Sequence, residues 1–240
     1  MAASKTKIDR NLQRIRQDIA SACARSHRAA DDVLLVGVTK AADPEDLRSL
    51  VELGVTDLAE SRVPQLVERA VELATWLVRR KDPPPSVRWH MIGHLQRNKV
   101  KSVLSAACVV HSVDSLRLAE EISERAEIIG RPVDVLLQVN CSNEAQKFGC
   151  AIGAAPHLAE MISTMPAVRL CGLMTMAELS SDPEHSRPAF VLLREMFEEL
   201  RHNHVGGDTF RHLSMGMSQD YVVAVEEGAT ILRIGTALFT

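Results

Sequence analysis

Val33-Leu34-Leu35-Val36-Gly37-Val38-Thr39-Lys40 decides the fold. Five of its first six residues are Val or Leu, without the apolar–polar alternation of a half-solvated strand. Such a run reads as a strand buried on both faces, the usual state of a strand in a parallel sheet. Lys40 follows it directly, ahead of Ala41-Ala42 and the helix start Asp43-Pro44. A lysine in that place sits at the rim where barrels and open sheets carry their chemistry. An amine in partly dry surroundings becomes a nucleophile able to form Schiff bases. Many strand-end lysines only reach into solvent, so the rest of the chain has to decide.

Working outward, the chain alternates between strand-like and helix-like segments. An amphipathic helix is expected from about Thr6 to Ala29, with Ile8, Leu12, Ile15 and Ile19 on one face. After the Lys40 strand, Asp43 caps a helix with Pro44 at its first position, and Gly54 ends it. Strands are then expected at Val55–Ala59, Val87–Ile92, Cys108–His111, Val133–Asn140, Val168–Met174, Phe210–Leu213 and Thr230–Ile234. Helices fall between them at Gln65–Arg80, Leu95–Leu104, Asp114–Ile129, Pro156–Ser163, Pro188–Arg201 and Ser218–Glu227. Eight strand–helix alternations in 240 residues match a (β/α)8 TIM-type barrel. No helix is expected after the last strand, and the N-terminal helix is the natural substitute. A doubly wound open sheet shares the same periodicity and is the rival architecture. Without internal repeats or a low-complexity linker, residues 1–240 read as a single domain.

Composition narrows the function. A net charge of −3 gives no electrostatic reason to expect nucleic acid or an acidic membrane surface. No apolar run approaches membrane-spanning length, and the polar, basic start is not a secretory signal. The five cysteines form no Cys-x-x-Cys pair and read as buried apolar residues of a reducing cytoplasm. A soluble cytoplasmic protein is expected, with no metal site.

Function belongs at the strand C-terminal ends. These carry Lys40, Glu60-Ser61, His90 to His94, His111-Ser112, Asn140, Met174-Thr175, Ser214 to Ser218 and Gly235-Thr236. Barrels often bind phosphate in the loops after strands seven and eight. There, Ser214-Met215-Gly216-Met217-Ser218 and Arg233-Ile234-Gly235-Thr236 supply glycines and hydroxyls. A capping turn explains either cluster alone; together, in that position, they favour a phosphate site. Arg233 shares one strand face with Gly235, and an arginine inside a strand is seldom buried without a partner. His90 and His94 straddle a strand end without an acidic residue between them, which argues against a zinc hydrolase.

In order, the chain carries Val38-Thr39-Lys40, Arg88-Trp89-His90-Met91-Ile92-Gly93-His94-Leu95-Gln96 with Asn98-Lys99, and His111-Ser112-Val113-Asp114. Gly172-Leu173-Met174-Thr175-Met176, Leu213-Ser214-Met215-Gly216-Met217-Ser218 and Arg233-Ile234-Gly235-Thr236 follow. This set resembles the pyridoxal phosphate (PLP) homeostasis protein family over nearly the whole chain. Such proteins are similar to the barrel of alanine racemase, its N-terminal domain. The resemblance implies that Lys40 holds PLP as a Schiff base. It sets the phosphate near Ser214, Gly216, Gly235 and Thr236, and Arg233 against the pyridine nitrogen. Ser61, His90, Met174, Met215 and Ser218 complete the implied cofactor-binding set. It implies a cofactor carrier or regulator, with no catalytic residue, that acts on PLP-dependent apoenzymes as recipients and exists as a monomer or weak dimer.

Three positions depart from the family pattern. Ala59-Glu60-Ser61 stands where Gly-Glu-Asn is common, Gln219 where glycine is usual, and Glu178 where proline is frequent. The alternative is a small PLP-dependent amino-acid racemase or lyase, with a base such as His90. Related racemases take a second base from another domain, and the one tyrosine, Tyr221, starts a helix after strand seven. Lys147, in the loop after strand five, is a candidate second amine or a solvated lysine.

Overall fold

In the computed structural model, which describes residues 4–82, 86–142 and 148–240, eight parallel strands close into a barrel in sequence order, β1 to β8. They are β1 (Leu34–Val38), β2 (Asp57–Glu60), β3 (Arg88–Met91), β4 (Val109–Val113), β5 (Val133–Gln138), β6 (Val168–Met174), β7 (His212–Ser214) and β8 (Ile231–Ile234). The ring closes where β1 pairs with β8, with Val36 opposite Arg233 and Gly37 opposite Ile234. Closure rules out the open sheet. The helices are α1 (Lys5–Arg25), α2 (Pro44–Glu52), α3 (Val63–Val78), α4 (Val100–Leu104), α5 (Leu116–Ile128), α6 (Ala155–Ser163), α7 (Arg187–His202), α8 (Tyr221–Glu226) and α9 (Thr236–Phe239).

Strand alternation separates two apolar cores. Residues facing outward, such as Leu58, Leu213 and Leu232, pack with the helices in the larger one. Val36, Val38, Ala59, Leu136, Cys171, Met174 and Ile231 fill part of the barrel interior. Leu34, Val36 and Val38 therefore define the inward face of β1, and the two-residue period puts Lys40 on that same face, at the mouth.

The last strand is followed by a helix after all, the short α9. α1 still takes the place of an eighth outer helix, packing against α8, α9 and α2. Asn11 donates to the Leu238 carbonyl at 3.1 Å, pinning α1 to the end of the chain. α1 stops at Arg25, four residues before Ala29, because the chain turns at Ser26 and His27 takes a left-handed φ of 55°. The helix expected over 95–104 starts late. Gln96 is extended, Arg97–Lys99 form a 3-10 turn, and α4 begins only at Val100. None of these shifts moves a strand end, so the mouth keeps its residues.

Candidate functional site

Lys40 is exposed at the C-terminal end of β1, while Thr39 just before it is buried. The turn that presents the lysine is held from below. Arg69 on α3 donates to the carbonyl of Thr39 and, at 2.9 Å, to that of Ala42. Arg69 also pairs with Glu60 at 2.9 Å, and Thr39 Oγ1 donates to the same carboxylate at 2.6 Å. Glu60 is fully buried and its second oxygen, Oε2, has no partner among the described residues. Neighbouring Ser61 is half-buried and packs tightly on the next strand end. A Cβ on Gly93 would lie 2.0 Å from the Ser61 carbonyl oxygen, so only glycine fits there.

On the other flank of β1, the loops after β7 and β8 are clasped together. Ser218 Oγ accepts from the backbone N–H of Gly235 and of Ala237, each at 3.2 Å. Gly216 has φ +92°, and a Cβ there would meet the Ala224 Cβ at 2.6 Å. Thr236 is exposed. The Met215 side chain turns outward into the helix-facing core, leaving only its backbone toward the mouth. Met174 points inward and forms part of the inner wall.

Below the mouth lies a buried polar column. Arg233 is 3 % exposed, facing inward as its strand position requires. Its Nη1 donates to Ser214 Oγ at 2.6 Å and its Nη2 to the Thr175 carbonyl at 2.8 Å. Burial lowers its pKa to about 10, a shift that the charge of Asp220 opposes, so it stays a cation at neutral pH. Among the described residues no carboxylate forms an ion pair with it. Ser214 Oγ lies 2.9 Å from His111 Nδ1, His111 Nε2 lies 2.8 Å from His90 Nδ1, and His90 Nε2 lies 2.9 Å from Asp57 Oδ1. Burial pushes the pKa of His111 well below the usual histidine value, and the charge of Arg233 adds to the effect. His90 is also lowered by burial, with Asp57 opposing. Burial thus favours the neutral form of both rings.

This geometry sorts the residues expected from sequence. Lys40, Ser61, Met174, Gly216, Ser218, Gly235 and Thr236 gather around one mouth, and Arg233 with Ser214 forms its floor. His90 does not serve as an open ligand or base. It is fully buried, and both ring nitrogens are taken by Asp57 and His111. Tyr221 is no base at the mouth either, because its hydroxyl donates to Asp18 on α1 at 2.6 Å. Lys147 lies outside the described residues. Sequence reading gave His111 and Thr175 strand-end positions without a role, and it passed over Asp57 and Arg69. The available signal was polar residues on the inward face of otherwise apolar strands. Among the described residues, no three His, Cys, Asp or Glu side chains are grouped to hold a metal ion, and no helix is long and apolar enough to cross a membrane.

A buried guanidinium with no carboxylate partner calls for an acceptor. Arginine has five N–H donors, and two of the bonds above account for only part of them. An exposed amine, a glycine-bearing cradle and this donor set suit a phosphorylated aromatic aldehyde whose ring nitrogen accepts a hydrogen bond.

Comparison with known proteins points the same way. The family model described as "Alanine racemase, N-terminal domain" matches residues 5–240. A pyridoxal phosphate homeostasis protein of Aquifex aeolicus is 38% identical over 228 residues, covering 95% of each chain. That of Pseudomonas aeruginosa is 37% identical over 232 residues, covering 97% of this chain and 94% of the relative. Among solved structures, PipY of Synechococcus elongatus with PLP bound aligns at a TM-score of 0.77 and 30% identity, covering 92% of this chain and 100% of that one. A Clostridium difficile alanine racemase, 15% identical, aligns at a TM-score of 0.72 over 97% of this chain and 56% of its own, a likeness of fold alone.

Proposed function

Since the chain belongs to the pyridoxal phosphate homeostasis protein family, we propose that it binds pyridoxal 5'-phosphate at the barrel mouth and supplies it to PLP-dependent apoenzymes without turning over amino acids. The observation that carries this reading is the exposed amine of Lys40 at the mouth end of β1, next to the strand that carries the buried guanidinium of Arg233, which has no carboxylate ion-pair partner among the described residues. When bound, PLP brings an aldehyde that condenses with amines and a ring that accepts electrons.

Each residue has a distinct task in this reading. Lys40 supplies the amine that captures the aldehyde, and the Arg69–Glu60 clamp holds the turn that aims it. Ser218 and Thr236 frame the phosphate with their hydroxyls, beside a Gly216 and Gly235 backbone that carries no side chain to fill the space. Ser61 supplies a hydroxyl at the rim beside Lys40, and Met174 packs the inner wall. Arg233 presents N–H donors to the ring nitrogen. A fixed cation there disfavours protonation of that nitrogen and so weakens carbanion chemistry. Racemisation also needs a second base, and the two obvious groups, His90 and Tyr221, are committed to Asp57 and Asp18.

Borohydride reduction of the PLP-loaded protein followed by peptide mapping tests the site. One pyridoxyl label on Lys40 is the expected result; a label confined to Lys99 or Lys101 would refute it. Mixing the loaded protein with a PLP-free aminotransferase tests the carrier role. Activity should return faster than with free PLP at the concentration that leaks from the protein. Racemisation or decarboxylation of a common amino acid at about 1–10³ s⁻¹ would establish an enzyme instead.

A further inference from the structure

The column from Arg233 to Asp57 has a donor that cannot accept at one end and an acceptor that cannot donate at the other. Guanidinium N–H groups only donate, and an ionised carboxylate only accepts. Between them stand one hydroxyl, which donates once and can accept twice, and two imidazoles that, when neutral, each donate once and accept once. With both rings neutral, the form their burial favours, the Asp57 end sets every direction. Arg233 donates to Ser214 Oγ, Ser214 donates to His111 Nδ1, His111 Nε2–H donates to His90 Nδ1, and His90 Nε2–H donates to Asp57. Reversing any link would then leave two donors or two acceptors facing each other among buried side chains, where an unsatisfied polar group is costly. The two rings cross edge-to-face with centroids 5.1 Å apart, so packing also fixes their planes.

We infer that Asp57, His90, His111 and Ser214 form a one-way hydrogen-bonded chain that fixes the donor array of Arg233 at the floor of the mouth. The chain starts at the opposite, N-terminal rim of the barrel, where Asp57 also pairs with Arg88 Nε at 3.2 Å beside a cavity of about 530 Å³. It thereby couples the far rim of the barrel to the group that faces the cofactor, a role that rests on the binding mode proposed above. His90, His111 and Ser214 act through Arg233 and are positioning residues. A merely space-filling core would tolerate either direction of donation. With neutral rings this one has a single direction, because a carboxylate at Asp57 only accepts.

Histidine ¹⁵N spectra of the cofactor-free protein near neutral pH read the chain directly. Both His90 and His111 should carry the proton on Nε2, with Nδ1 bare. A proton on Nδ1 of either ring, or a cationic ring, would overturn the inference whether or not the protein binds PLP. The second arm uses the PLP-loaded protein. His111→Phe and the remote Asp57→Ala should each move the visible band of the bound chromophore, or the midpoint of its pH titration by about half a unit or more. His111→Gln, which keeps one donor and one acceptor, should restore much of the original spectrum. If both variants still carry the label on Lys40 yet match the parent in band and midpoint, the chain does not set Arg233. Should His111→Phe fail to fold, Asp57→Ala and the histidine spectra of the parent still decide. Loss of the Lys40 label in the parent protein itself would instead count against the binding mode, leaving the tautomer result to stand alone.

Discussion

Arg69 meets Glu60 at 2.9 Å beneath the turn that carries Lys40, and the same guanidinium holds the Thr39 and Ala42 carbonyls. Glu60 is fully buried, so removing the arginine strands a buried carboxylate as well as freeing the turn. Breaking such a pair from one side destabilises by about 3–5 kcal/mol. Arg69→Met should therefore lower the urea midpoint and slow PLP capture by Lys40. Adding Glu60→Gln should recover most of the stability, because the orphaned charge is gone, but not the capture rate. Parent-like labelling kinetics in a folded Arg69→Met protein would show that the clamp does not aim Lys40.

Gly216→Ala tests the cradle. At φ +92° a side chain is strained, and the new Cβ would also press on Ala224 at 2.6 Å. Backbone strain of this kind costs about 1–3 kcal/mol. Gly130→Ala is the matched control, since Gly130 has φ +69° with open space around it. Both variants should be destabilised, Gly216→Ala more so, and only Gly216→Ala should weaken PLP binding. Equal binding in the two would remove the β7–α8 loop from the phosphate site.

Acid should destabilise the protein through its buried histidines. Burial lowers the pKa of His90, His111 and His212 from 6.5, that of His212 to about 4. As pH falls through about 6.5 the unfolded chain takes up protons that the folded chain refuses, so stability drops with falling pH. The slope is about 1.4 kcal/mol per pH unit for each proton so withheld. Urea midpoints should fall steadily between about pH 7 and pH 4. A flat profile in that window would mean that these rings are already protonated, or free to be, in the folded state.

The barrel was legible because parallel strands announce themselves as apolar runs, and eight of them alternate with helices. β6 falls at the expected Val168–Met174. The positions of Lys40, Gly216 and Gly235 just past strand ends were legible for a related reason: strand ends are where a lysine or glycine interrupts the pattern. The inner column was not. Asp57, His90 and His111 lie far apart in sequence, and only closure of the sheet, with Ala59 opposite His90 and Met91 opposite Val110, brings them into line. Arg69 escaped notice because a basic residue on a helix usually faces water, and its turn toward β1 is a tertiary fact. α9 was missed because four residues after a strand carry too little periodicity to read.

Arg233 offers the sharpest test of the proposal that this site holds PLP without turning over amino acids. The guanidinium is held by Ser214 and the Thr175 carbonyl, and its charge faces no carboxylate partner among the described residues. Arg233→Gln would keep hydrogen-bond donors and remove the charge, while Arg233→Glu would place an acceptor and a negative charge under the ring nitrogen. The first should leave PLP on Lys40 with a modest spectral change. The second should favour a protonated ring nitrogen, since an opposite charge at close range raises the proton affinity of a base. It also sets a carboxylate against the Thr175 carbonyl and near Asp220, so some loss of stability is expected with it. The measurement is deuterium uptake at the α-carbon of an added amino acid in heavy water. The parent protein and Arg233→Gln should exchange no faster than free PLP, and Arg233→Glu should exchange faster than either. If all three proteins behave alike while remaining labelled on Lys40, the cation at Arg233 is not what keeps the bound cofactor quiet.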